Sequence, residues 1–312
     1  MLTPVAIPAL LNDYDTGFQT RRSNHAAMRI LLIGAGGQLA GDLLRALAAD
    51  EVISVSHAEL DIGDAAGVDA CAERVRPECI VNTAAFHRVD ECEDRADEAL
   101  RVNAVGVLNL ARAAERFSAK LVHVSTNYVF DGSLARPYVE SDAPRPQSVY
   151  AISKLAGEII AVQYCSRHFV LRTAGLYGFG GSRSRGGNFV ETMLRLAREG
   201  KPIRVVNDQI LGPTSTRDLA QKLAPLLHTE SYGLFHMTNA GACSWYEFAR
   251  EIFRLESLAP DCSPVASDSF PQKARRPAYS VLDNRAYRGV GFADFKSWQE
   301  ALAEYLSERR CR

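Results

Sequence analysis

The feature that most restricts the fold is a junction near the start of the chain. The run Arg29-Ile30-Leu31-Leu32-Ile33 passes without a spacer into Gly34-Ala35-Gly36-Gly37-Gln38-Leu39-Ala40, and then into a helical stripe at Leu39, Leu43, Leu44 and Leu47. A short aliphatic strand that turns on glycines straight into a helix is the opening unit of a parallel sheet covered by helices. The turn faces a helix N-terminus, where unpaired amides and the helix dipole attract an anion. Gly34 serves the tight turn, Gly37 lets backbone approach a pyrophosphate, and small Ala40 permits close helix–strand packing. With Gly36, Gln38 and Leu39 they are the first candidate dinucleotide-binding residues.

The alternation continues. Apolar runs at 52–55, 60–62, 79–82, 121–125 and 169–172 predict further strands, and Ala99, Val102, Gly106, Leu110 and Ala114 form a second helical stripe. The expected fold is α/β, a Rossmann-type doubly wound parallel sheet over 28–173 with a smaller, discontinuous substrate-binding domain toward the C-terminus. That second domain takes 174–211 and 241–312, while 212–240, with a helix at 216–227 and a strand at 234–238, rejoins the sheet. Within it, glycine-rich loops at 175–187 precede a helix at 188–199 and a strand at 203–206. Ser244 and Glu247 are spaced for a capping box. Residues 1–27, broken by Pro4, Pro8 and Gly17, read as a loosely ordered arm. No basic residue precedes the apolar run 5–11 and Pro8 splits it, so the arm does not read as a secretory signal.

Composition excludes several classes. Thirty-six basic against thirty-seven acidic residues, a formal net charge of -1, leave no basic block for nucleic acid. No run is long and apolar enough to span a bilayer. Seven scattered cysteines lack the close pairs of a zinc site and fit a reducing, cytoplasmic setting.

The second strand ends in Val55-Ser56-His57, without the carboxylate that would accept from an unphosphorylated ribose. Serine and histidine donate to a phosphate, so NADPH is favoured and NADH accommodated. Asp61 and Ile62 are placed to meet the adenine. Tyr150 and Lys154 stand i,i+4 at a helix start, on one face. A cation beside a phenol lowers its pKa from about 10, which makes Tyr150 a candidate proton donor. The strand at 121–125 delivers the hydroxyl of Thr126 to the same sheet edge.

These residues resemble the extended short-chain dehydrogenase/reductase family, in its sugar-nucleotide reductase branch. The resemblance runs from Met28 almost to the C-terminus. It is carried by the glycine turn, Asn82-Thr-Ala-Ala85, Val89-Asp90, Val102-Asn103-Ala104, Ser125-Thr126-Asn127-Tyr128-Val-Phe-Asp-Gly132 and Tyr150-x-x-x-Lys154-Leu-Ala-Gly-Glu158. Further matches are Gly187-Asn188-Phe189, Gly212-Pro-Thr214, Asp218-Leu-Ala220, Arg275-Arg276-Pro277 and Ser280-Val-Leu-Asp283. It implies Thr126, Tyr150 and Lys154 as the catalytic set, with Tyr150 and Lys154 also touching the cofactor. Ala84, Ala85 and Asn103 would lie along the cofactor, and Val89, Thr126, Asn127, Tyr128, Asn188 and Arg276 along a nucleotide sugar. The implied reaction is reduction of a 4-keto group, with dTDP-4-dehydrorhamnose the expected substrate and a homodimer an open option. Asp42 echoes an acidic residue that some members use for a dimer-bridging magnesium, but it also reads as a lone surface carboxylate, so no metal ligand is assigned.

Two departures stand out. Asn127 replaces the usual aspartate, and Gly175 stands where a tryptophan is common, which predicts a more open sugar pocket. Two rivals remain. One is another reaction on the same fold; an epimerase stays open, whereas a dehydratase lacks its acid and base at Asn127-Tyr128. The other is a non-enzymatic subunit resembling the regulatory subunit of methionine adenosyltransferase.

Overall fold

The computed structural model describes residues 27–180 and 187–312. All but the last residue of the arm expected over 1–27, and the centre of the glycine-rich loops, lie outside the described residues.

The first half alternates strand and helix: β1 (Arg29–Ile33), α1 (Gln38–Ala46), β2 (Glu51–Val55), α2 (Ala65–Val75), β3 (Cys79–Asn82) and α3 (Val89–Asp94). Next come α4 (Ala96–Leu100), a π-helical turn (Arg101–Val105), α5 (Gly106–Arg116), β4 (Lys120–Thr126), α6 (Val149–Tyr164) and β5 (His168–Thr173). Shorter elements follow: β6 (Leu176–Tyr177), α7 (Phe189–Arg198), β7 (Ile203–Val206), β8 (Ile210–Leu211), β9 (Thr214–Ser215) and α8 (Thr216–Leu227). The chain ends through β10 (Gly233–His236), β11 (Cys243–Ser244), α9 (Trp245–Leu255), β12 (Cys262–Val265), α10 (Arg285–Gly289) and α11 (Trp298–Arg310).

Six strands pair in parallel in the order β10-β5-β4-β3-β1-β2. Strand direction is constant, but the order reverses at β1 and β3, and connections leaving to opposite faces open a crevice at their carboxyl ends. The period of two along β1 sends Ile30 and Leu32 into a core with Leu43, Leu223 and Met237 under α1 and α8. Leu31 and Ile33 enter the opposite core with Val68, Val107 and Leu110 under α2 and α5. A third cluster, including Tyr177, Leu194, Ile203, Phe248 and Leu302, unites α7, β7, α9 and α11 away from the sheet. The Ser244–Glu247 capping box is present at α9.

Three expectations are corrected. Residues 60–62 form no strand: Leu60 and Ile62 are buried by helix packing, and Asn109 Nδ2 donates to the Ile62 carbonyl at 2.9 Å in place of a strand partner. Leu44 faces outward at 40% exposure, so the α1 stripe is narrower than its leucines suggest. Tyr287 and Phe295, expected in the C-terminal substrate-binding segment, join the sheet's first core.

Candidate active site

The crevice begins at the glycine turn. Gly34 and Ala35 N–H both donate to Val55 O at 2.9 Å, which folds the turn back over β2. Gly34 has φ +93, and a Cβ there would lie 2.6 Å from Thr83 Oγ1, so the turn and the end of β3 approach closely only because Gly34 has no side chain. Gly37 caps α1 without any side-chain acceptor, leaving first-turn amides for a ligand, and space beside Gly36 is open. This cradle fits a pyrophosphate. Gln38 Oε1 accepts from Gly178 N–H at 3.0 Å, drawing the loop after β6 across the turn, while the Leu39 side chain is buried in the core. Ala84 and Ala85 follow β3, half-buried. Asn103 clasps both backbone groups of Phe86, at 2.9 and 3.0 Å, and reaches Ser153 Oγ at 2.9 Å, tying this wall to α6.

The end of β2 differs from its reading. Ser56 does not offer a free hydroxyl to a phosphate: its N–H and Oγ donate to Glu59 at 2.8 and 2.7 Å. Those bonds hold the Glu59 carboxyl below its ordinary range. A carboxylate therefore stands at this corner, supplied from three residues further on, and His57 beside it is exposed. Asp61 is engaged by Arg101 at 2.7 Å and by Gly63 N–H at 2.9 Å, and Ile62 is buried.

Thr126 ends β4 and Tyr150 begins α6, whose N-cap Ser148 accepts from Ala151 N–H at 3.3 Å. Burial, opposed by the neighbouring Thr126 hydroxyl, pushes the Tyr150 phenol up to about 12. The ring meets Tyr128 edge-on, centroids 6.1 Å apart. Lys154 shares the buried face, but its Nζ donates to Val124 O at 2.6 Å and lies 3.4 Å from His123 Nε2. Burial brings its ammonium down to about 8. The lowering of the phenol by Lys154 is thus not what this structure shows: the ammonium is anchored on backbone, and burial is the largest influence on the phenol.

On the far side Arg276 stands beside Tyr128 and is paired with Asp90 at 2.7 Å. Asp90 Oδ1 also accepts from the Lys273 and Ala274 N–H groups at 3.1 and 3.0 Å, strapping this segment onto α3, whose first residue is Val89. The Arg276 guanidinium accordingly holds the Asp90 carboxyl below its usual range. Asn127 is buried between two hydroxyls: its Oδ1 accepts from Thr126 Oγ1 at 3.3 Å and its Nδ2 donates to Ser280 Oγ at 2.7 Å.

Asn188 does not join this group. It caps α7, accepting from Glu191 N–H at 3.0 Å, and donates to Gly178 O at 2.8 Å and Tyr305 Oη at 3.1 Å. Asp42 is no surface carboxylate: it is 4% exposed, accepts from Thr216 Oγ1 at 2.5 Å and pairs with Arg45. Nor does Gly175 open a hole. Around its Cβ position stand Leu211 Cδ1 at 2.7 Å, Pro213 Cα at 3.3 Å and Trp245 Cη2 at 3.6 Å, so neighbouring elements fill the space.

Residues 28–311 match the protein family described as RmlD substrate binding domain. The chain belongs to that family. It is similar to the spore coat polysaccharide biosynthesis protein SpsK of Bacillus subtilis, 41% identical over 90% of this chain and 98% of the relative. It is also similar to a dTDP-4-keto-6-deoxy-D-glucose reductase of Streptomyces niveus, 39% identical over 88% of this chain and 96% of the relative. The crystal structure of a dTDP-4-dehydrorhamnose reductase from Bacillus anthracis in complex with NADP superimposes with a TM-score of 0.87 at 37% identity, covering 90% of this chain and 99% of that one. In this RmlD-family chain, His123 stands in the site without having been singled out by any sequence pattern, and Asp90 and Ser280 stand in family motifs without an assigned role. For His123 the available signal was a histidine inside a largely apolar strand; for the other two, the partners lie 186 and 153 residues away, which no local pattern encodes.

Proposed function

We propose that this chain is an NADPH-dependent reductase of the 4-keto group of a nucleotide-activated deoxysugar, with dTDP-4-dehydrorhamnose the substrate to test first. The observation that carries the reading is the meeting of Thr126 at the end of β4 with Tyr150 and Lys154 on α6, at the sheet edge beside an uncapped glycine turn. The amides of Gly36, Gln38 and Leu39, which the turn leaves without a backbone acceptor, would hold the pyrophosphate, and Ala84 and Ala85 would border the nicotinamide half. The bound cofactor supplies hydride to the carbonyl carbon. Tyr150 Oη gives its proton to the carbonyl oxygen as negative charge develops there, and Thr126 orients that oxygen. Val89, Tyr128 and Arg276 form the sugar-nucleotide wall. Asn127 is neutral and committed to Ser280, so the acid–base pair that elimination requires is missing.

A discontinuous substrate-binding domain, a cytoplasmic location and a homodimer belong to the same proposal. The seven cysteines are free thiols, and Ile152, Ile159 and Val162 leave an apolar strip exposed on α6. No helix among the described residues is long and apolar enough to cross a membrane.

Purified protein incubated with NADPH and a panel of 4-keto nucleotide sugars should consume the reduced nicotinamide, followed by its absorbance. Cofactor binding without turnover of any of them would favour the non-enzymatic subunit. Glu59→Gln tests the ribose corner. Removing one like charge from beside a 2′-phosphate should raise NADPH affinity by about fivefold or less, since solvent screens an exposed pair. NADH affinity, read by the same calorimetric titration, should stay level; a matching loss for NADH would show that Glu59 holds an unphosphorylated ribose.

A further inference from the structure

Behind the Tyr150 phenol runs a line of buried polar contacts that proton donation does not use. Lys154 Nζ lies 3.4 Å from His123 Nε2. His123 is fully buried on β4, and its Nδ1 stands 3.4 Å from Asn82 Nδ2 on the neighbouring β3. Asn82 Oδ1 in turn accepts from Ala84 N–H at 3.1 Å.

Backbone sets the direction of this line. The Ala84 N–H only donates, so the Asn82 oxygen faces it and the amide NH2 faces His123. Nδ1 must then accept. Burial, and next the Lys154 charge, hold the ring well below the ordinary histidine range, so it is neutral and carries one proton. With Nδ1 accepting, that proton sits on Nε2, aimed at Nζ.

We propose that His123 is a positioning residue for Lys154: a one-way hydrogen-bond chain from the Ala84 amide through Asn82 turns an N–H toward Nζ and weakens the lysine's hold on its proton. Facing an amine, this N–H makes a hydrogen bond; facing an ammonium, it sets two donors head to head. The other groups around Lys154 do not duplicate this. On α6, Glu158 favours the ammonium by its charge but is engaged by Arg172 of β5 and by Ser125 of β4. Tyr150, one turn back, faces Thr126, and Ser153 is bonded to Asn103 of the π-helical turn. Because Ala84 borders the proposed cofactor cleft, the chain links that wall to the lysine.

The proposal rests on the reductase reading only in its kinetic arm. In the unaltered protein, nitrogen-15 NMR of the imidazoles should find His123 neutral with Nε2 protonated; an Nδ1–H tautomer overturns the proposal whatever the protein catalyses. In His123→Leu, the alkaline limb of kcat/KM should move up by about one unit, with affinity for NADPH little changed. His123→Gln, which returns an amide N–H near Nζ, should bring the limb back. A lower kcat with an unmoved limb would mean that His123 is only a packing residue. If the leucine variant does not fold, the tautomer measurement decides.

Discussion

Tyr150→Phe is expected to lower the rate of carbonyl reduction by roughly 10² to 10⁴, the usual contribution of a positioned proton donor. NADPH affinity should stay within about threefold, because the substitution touches a group used in the transition state rather than in binding. The geometry makes the variant a clean one. Only the hydroxyl is lost, while the phenyl ring keeps its edge-on contact with Tyr128 and its place at the start of α6. A phenol pushed up to about 12 is fully protonated at neutral pH, so the parent enters each turnover with its proton in place. The cost lies in forming the phenolate, and the Thr126 hydroxyl is already in position to accept part of that charge. Stopped-flow mixing of the NADPH-loaded variant with a 4-keto nucleotide sugar reads the step directly. Hydride transfer near the parental rate would remove Tyr150 from the mechanism.

What could be read along the chain was what is local in it. The glycine turn, the hydroxyl ending β4 and the i,i+4 pair on α6 each occupy a few consecutive residues, and their geometry follows from strand and helix periods. The unread parts are contacts across distance. Asp90 meets Arg276 at a separation of 186 residues, and Asn127 meets Ser280 at 153; no periodicity encodes either. At the end of β2 the failure was of another kind. The strand-end position was read as lacking an acid, yet the backbone of Ser56 brings Glu59 back to it. At 60–62 burial was read as a strand, although helices do the covering.

The helix α6 inverts the ordinary rule. Ser153, Lys154 and Glu158 are buried, whereas Ile152 and Ile159 are 50% and 60% exposed. A hydrophobic stripe drawn through the large aliphatics Ile152 and Ile159 points outward, because the inner face alternates small residues (Ala151, Gly157, Ala161) with these polar groups. That arrangement is tolerable only where each buried polar group has a partner; those of Lys154 and Glu158 lie on β4 and β5, and that of Ser153 on the π-helical turn.

The second large effect expected follows from that inversion. Glu158 receives Arg172 Nε at 3.0 and 3.1 Å and Nη2 at 2.7 Å, and Ser125 Oγ at 2.5 Å. The guanidinium also lies 5.0 Å from the centre of the Phe130 ring, and its Nη1 has no hydrogen-bond partner among the described residues. Glu158→Ala would leave a buried cation facing a void, at a cost of about 3–5 kcal/mol. For a chain of this size that is a fall in Tm on the order of 10 °C. The double variant Glu158→Leu, Arg172→Met should recover most of the loss, since the desolvation penalty of both ions disappears with them. Because the pair is enclosed, added salt should change neither result much. Calorimetric melts of the parent and both variants at low and high ionic strength test the point. A single variant melting within about 2 °C of the parent, less than the usual shift for one kcal/mol, would show that water reaches Arg172 and that the pair holds little of the fold.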